Sequence, residues 1–171
     1  MLYKQSDVAG TIISTTFSTQ NIPIPFNHCG NTPAEARSRG CMFESNNPAW
    51  VPPQCYDREL GVEWDTKPWL YAYGENKDIV SQDEVLQGDF DYVFVTWGQH
   101  IAHCALMVRK FQRAVFLNWP MDNWTSSIAH TDHCAGSFVE WKYMKAPDEV
   151  NAKVSVKYPL YDYRWQEVFS S

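Results

Sequence analysis

Two five-residue words of the form His-x-x-His-Cys stand in this chain: His100-Ile101-Ala102-His103-Cys104 and His130-Thr131-Asp132-His133-Cys134. They hold four of its five histidines and two of its five cysteines. Imidazole and thiolate are donors for borderline and soft metals. On a helix, residues three apart are neighbours, so each word aims two imidazoles at one point. Two antiparallel helices with such pairs facing inward gather four nitrogens in one pocket, as metal sites in helix bundles do. His100, His103, His130 and His133 are therefore the candidate catalytic and metal-binding residues.

The donor set favours copper, with zinc as the alternative, because neither ligand stripe carries a carboxylate of the kind magnesium or calcium needs. Asp132 reads as a helix-start carboxylate or as a partner that orients a ligand. Five histidines are too few for a coupled dinuclear copper site with a full imidazole set on each metal. One copper with up to four nitrogens fits, and so do two coppers with two each. His28 joins only if the segment carrying it folds back. Cys104 and Cys134 read either as soft ligands or as a disulfide that pins the two helices together, and the disulfide is the favoured reading.

The elements that position these words are legible in part. His100, His103, Cys104, Met107 and Phe111 share one stripe of a helix from Trp97 to about Phe116. Arg109, Lys110 and Arg113 face elsewhere, toward the end where cations suit the helix dipole. A shorter helix starts near Ser126 or Ser127 and puts His130, His133, Cys134 and Trp141 on one stripe, with Gly136 weakening its end. Upstream, Thr32 is an N-cap, Pro33 suits the first helical position, Glu35 completes a capping box and Gly40 stops the turn. Cys29, Cys41 and Cys55 surround that helix and the Pro/Trp loop after it, as a covalent staple would. Ser81 opens another short helix toward Gln87. Residues 61–80 read as aromatic and irregular, and Asp91 to Thr96 as a strand or a lead-in to the long helix. Strands are expected at Thr11 to Phe17 and at Ala152 to Tyr158, with an alternating aromatic face continuing through Tyr161, Tyr163 and Trp165.

Length and composition frame this. A chain of 171 residues suits one domain: an extended arm over 1–28, a cysteine-braced segment over 29–60, the helix pair over 97–141 and a strand region over 150–169. The expected class is α+β, with a mainly helical core, short strands, long loops and disulfide bracing. A net charge of −6 argues against nucleic acid as a partner. Eight Trp, nine Tyr and nine Phe supply aromatic walls for a pocket. Asn123-Trp124-Thr125 is a glycosylation sequon, and five cysteines suit an oxidising compartment. Met1 then reads as a start that replaces a signal or anchor.

With those residues in view, the doubled word with Arg109 downstream of its first copy resembles the fungal UstYa-like family of secondary-metabolite oxidases. The stretch from Cys29 to Cys41, with Trp50-x-Pro52-Pro53-x-Cys55-x-Asp57-x-Glu59-Leu60, resembles a related fungal branch that carries the same doubled word. The resemblance covers about residues 29–60 and 97–135. It implies a single-pass anchor ahead of a lumenal domain of the secretory pathway. It also implies copper-dependent cyclisation, hydroxylation, desaturation or halogenation of peptides or polyketide-like scaffolds, with the four word histidines at the metal and Cys104 and Cys134 as motif members. The chain departs from the family where Ala135-Gly136-Ser137-Phe138-Val139 replaces the usual leucine-arginine-glutamine turn.

The expected function is thus copper-dependent oxidation of a small-molecule or peptide secondary metabolite, in a chain that can form homo- or hetero-oligomers. Two alternatives stand beside it: a metal-independent cyclase or isomerase using histidine acid/base catalysis, and a non-catalytic module whose histidines close around structural zinc.

Overall fold

The first element is held by its two ends. In a computed structural model that describes residues 29–140 and 146–161, helix α1 spans Pro33–Ser38. The Thr32 hydroxyl accepts from the Glu35 N–H at 3.2 Å. The Glu35 carboxylate reaches back one residue further than a capping box requires, to the Asn31 N–H at 2.7 Å. At the other end the Gly40 N–H donates to Arg37 and the Cys41 N–H to Ala36, a Schellman closure that needs the left-handed backbone of Gly40, φ 72°. This brings Cys41 onto Cys29, and the two form a disulfide with Cα atoms 5.8 Å apart. Closing so short a loop stabilises the fold by about 3 kcal/mol.

Cys55 is not part of that staple. It is a buried thiol packed with Ala49, Val51 and Tyr161, away from the cluster of Cys29, Ala36, Cys41 and Trp50. Burial pushes its thiol pKa up, which leaves it inert. The arm over 1–28 with its expected strand, His28, Trp141, Tyr163 and Trp165 lie outside the described residues.

Strands β1 (Met42–Glu44) and β2 (Ala49–Val51) form an antiparallel hairpin, and a 3-10 turn follows at Pro53–Cys55. Helix α2 (Arg58–Asp65) starts on Asp57, whose side chain accepts from the Leu60 N–H. It is followed by β3 (Tyr71–Tyr73), β4 (Asp78–Val80), helix α3 (Gln82–Val85) and β5 (Tyr92–Thr96). Residues 61–80, expected as irregular, therefore include the end of α2 and the β3–β4 hairpin. Each strand of the β3–β4 hairpin is only three residues long, too short to display an alternation. Its turn closes on left-handed Gly74 and Lys77.

Helix α4 (Trp97–Leu117) leaves β5 without a loop, because Thr96 is both the last strand residue and the helix cap, accepting from the Gln99 N–H at 3.0 Å. It ends on left-handed Asn118. Helix α5 (Ile128–Val139) starts on Ser127, whose hydroxyl accepts from the His130 N–H; Gly136 does not shorten it. Strand β6 (Val150–Ser155) begins two residues before the expected start and stops at Ser155. It completes an antiparallel sheet of order β4-β3-β5-β6.

The class is α+β: five helices and two small sheets among the described residues, braced by one disulfide. The core is shared between layers. Tyr71, Val85, Val93, Val95 and Ala152 pack on the sheet, while Leu60, Trp64 and Leu106 join α2 to α4.

The cations of α4 serve tertiary contacts rather than the helix dipole. Arg109 clamps Glu63 with two bonds of 2.7 and 2.8 Å, and Arg113 holds Asp57 and Glu59, each at 2.7 Å. Lys110 is buried, donating to Glu44 at 2.7 Å and Asp122 at 3.0 Å.

Candidate metal centre

The buried Lys110 network fixes where α5 begins. Asp122 accepts from the N–H groups of Trp124 and Thr125 and from the Thr125 hydroxyl, all within 3.0 Å, as well as from Lys110. The link after α4 is thereby folded into one rigid turn that delivers Ser127 as the cap of α5. Burial would raise the Asp122 carboxyl, but Lys110 and the Thr125 bonds outweigh it and hold the pKa low. At Glu44 burial wins and the pKa is raised.

With the helices so placed, the four word histidines meet as two cross-helix pairs. His103 and His130 bring their Nε2 atoms to 3.4 Å, and His100 and His133 bring theirs to 3.2 Å. The ring planes of each pair are within 30° of parallel. The first pair is the deeper one, with His130 buried and His103 half-buried; the second opens outward through exposed His133.

The deeper pair is held at its outer nitrogens. His103 Nδ1 lies 2.6 Å from the carbonyl oxygen of Asn46, in the β1–β2 turn. His130 Nδ1 lies 3.3 Å from the carbonyl of Trp124, whose indole stacks on the His130 ring at 4.2 Å. A carbonyl can only accept, so both Nδ1 atoms carry the proton. Burial lowers the pKa of His103 to about 4 and lowers that of His130, which keeps both rings neutral near pH 7. Two Nε2 lone pairs then face each other. Two nitrogens each about 2.0–2.1 Å from one ion at a tetrahedral angle lie 3.3–3.4 Å apart, so the spacing is that of two ligands of one cation.

The tightest donor set is His103, His130 and Cys134, whose ligand atoms lie within 4.8 Å of one another, and it could hold a metal ion. His100 and His133 form a separate pair beside it rather than completing one four-nitrogen cage. Trp97 stacks on His100 at 5.8 Å. Among the described residues no oxygen accepts from the buried Nδ1 of His100.

Cys104 and Cys134 face each other across the helix pair as thiols, not as the favoured disulfide. They share a hydrogen bond. That bond, with a smaller contribution from His100, holds the Cys104 thiol below its usual range, and the same bond raises Cys134.

Both histidine pairs open onto a cavity of about 450 Å³. Trp97 and Trp124 line it beside the histidines, Asn47 and Pro48 of the β1–β2 turn flank it, and residues 152–155 of β6 close it. A second cavity of about 260 Å³ reaches His130 and Cys134 from the other side, along Met107, Val108 and Phe111. Met107 is buried and Phe111 is 38% exposed. Asn123 is exposed and its side-chain oxygen accepts from the Leu160 N–H at 2.9 Å, while the sequon hydroxyl of Thr125 is bound to Asp122. Among the described residues no helix is long and apolar enough to cross a membrane.

Sequence reasoning named the histidines and both thiols. It did not name the Asn46 and Trp124 carbonyls, the two stacking tryptophans or the β6 wall. A carbonyl carries no side-chain signature, and β6 meets the helices only through the fold.

Comparison with known proteins finds two curated relatives, phomopsin biosynthesis cluster protein B and phomopsin biosynthesis cluster protein B' of Diaporthe leptostromiformis. Each is 30% identical over 133 residues, covering 70% of this chain. The chain spans only 38% of the length of these relatives. No family model matches the chain, and no solved structure matches it.

Proposed function

We propose that this chain is a copper-dependent oxidase domain of fungal secondary-metabolite biosynthesis. The similarity to two phomopsin cluster proteins supports the biosynthetic setting. The observation that carries the metal reading is the facing of the His103 and His130 Nε2 atoms at 3.4 Å, with both Nδ1 protons committed to carbonyls. His103, His130 and Cys134 would hold one ion, and His100 with His133 would hold a second.

Copper, when bound, supplies one-electron chemistry with dioxygen or peroxide. The chain's own residues do the rest. The Asn46 and Trp124 carbonyls fix the ring orientation and the tautomer, the role such partners play around metal ligands. Trp97 and Trp124 give the cavity aromatic walls that bind an organic substrate and exclude water. The exposed edge at His133 leaves a path by which substrate and oxidant reach the centre. The Cys29–Cys41 disulfide supports a secretory, oxidising location. A thiol among the donors also suits zinc, the second reading.

The test is metal content and oxygen uptake of protein purified without nickel resin. Bound copper at one or two ions per chain, with reductant-driven oxygen uptake that chelation abolishes, supports the oxidase. Zinc held tightly with no oxygen uptake overturns it in favour of a structural site. Turnover that survives chelation overturns it in favour of histidine acid/base catalysis.

A further inference from the structure

Strand β6 walls the histidine cavity with its edge rather than with one of its faces. Side chains alternate across a strand. Ala152 and Val154 pack on the sheet core, whereas the Lys153 ammonium lies on the opposite face, 3.8 Å from the Tyr92 ring centroid. Residues 152–155 nevertheless all line the cavity. Consecutive residues from both faces bordering one cavity place its boundary along the edge of the strand.

The ladder identifies the groups. The Val156 N–H donates to the Asp91 carbonyl at 2.9 Å, and the register pairs Val154 with Val93 and Ala152 with Val95. Hydrogen-bonded positions alternate along an antiparallel pair. Val154 and Ala152 therefore bond to β5, and Lys153 and Ser155 turn their N–H and C=O groups to the other edge. That edge is already used one step further on. The Lys157 N–H donates to Pro48 and its carbonyl accepts from the Trp50 N–H, both at 2.9 Å, as a parallel bridge to Ala49. At Lys153 and Ser155, among the described residues, no strand continues it.

We propose that the edge at Lys153 and Ser155 is a docking strand for an extended peptide, which continues the edge where β2 leaves it and presents a side chain to the histidine pairs. The proposal rests on the reading of those pairs as the reacting centre. Lys153 and Ser155 offer matched donors and acceptors about 6.8 Å apart, the two-residue repeat of a strand. A peptide backbone carries the same groups at the same repeat, and a carbon skeleton without amides does not. Main-chain pairing of this kind tolerates sequence and leaves selection to the pocket that receives alternate side chains. Here that pocket is lined by Trp97, Trp124 and the four histidines.

The experiment is amide hydrogen exchange by NMR on the whole chain, with metal content measured on the same sample. The probe is a capped pentapeptide alternating alanine and threonine about a central phenylalanine. In the free protein the Lys153 and Ser155 amides exchange fast and the Val154 amide slowly. Adding the peptide slows Lys153 and Ser155. A twin peptide N-methylated at alternate residues, the register that faces β6, binds about tenfold more weakly, as does Ser155→Pro, which removes an outward N–H without touching the β5 ladder. The proposal is overturned by peptide that leaves those two amides unprotected, or by methylated twins that bind as well as the parent peptide in both registers. It is also overturned by protection already present in the free protein, whether concentration-dependent through a second copy or intrinsic through the chain's own flanking segments. Peptide protection without copper keeps the docking strand and removes the oxidase; copper without protection does the reverse.

Discussion

Lys110 of α4 and Asp122 of the following link form an ion pair of 3.0 Å in the interior, with the Asp122 side chain fully buried. Asp122 folds the turn that caps α5, so the lysine in the middle of one ligand helix sets where the other begins. Removing the ammonium leaves Glu44 and Asp122 buried without their cation. Lys110→Met is expected to lower stability by about 3–5 kcal/mol, measured by urea unfolding, and to weaken metal binding along with it. Unchanged stability would show that the network does not position the helices.

Acid is expected to loosen the metal-free fold as pH falls from about 6.5 toward 4. His103 has a folded pKa of about 4 against an ordinary 6.5, because burial disfavours its charged form. Its contribution to stability is therefore complete above about pH 6.5 and is lost as pH falls toward 4. Urea unfolding in chelator at stepped pH should show this decline in wild type and a flatter profile in His103→Gln. Parallel profiles would show that His103 is not held neutral by the fold.

Trp124 stacks on His130 at 4.2 Å. Trp124→Leu keeps the Trp124 carbonyl but removes the plate that orients the ring. Metal affinity, measured by competition with a chelator, should fall about tenfold, at the low end for partners that orient a ligand, while α5 keeps its helicity. Full affinity would assign the indole to the cavity wall alone.

The cysteine state is directly countable. Cys29 and Cys41 are bonded, and Cys55, Cys104 and Cys134 are thiols. Alkylation of the denatured, unreduced chain followed by intact-mass analysis should therefore add three labels. A single label, on Cys55, would mean that Cys104 and Cys134 close into a disulfide and that no thiol serves the metal.

What could be read in advance was local. Thr32, Ser81 and Ser127 each cap a helix by a bond to the N–H three residues on, a relation contained in the sequence itself. The histidine stripes were legible for the same reason, since helical spacing alone puts them on one face. The Asn46 carbonyl that orients His103 sits 57 positions away. Lys110 read as a cation suited to the helix dipole because its partner Glu44 is 66 positions away. The choice of Cys41 rather than Cys55 as the partner of Cys29 followed from the left-handed turn at Gly40, whose consequence appears only when the backbone is built.

The central claim is that His103 and His130 share one copper ion. Electron paramagnetic resonance of the copper(II)-loaded chain, with copper counted per chain, tests it most directly. Wild type should show nitrogen hyperfine structure from imidazole at stoichiometric copper, and His103→Ala and His130→Ala should each lose one copper per chain together with its share of that signal. Stoichiometric copper with an unchanged spectrum in either variant would contradict it.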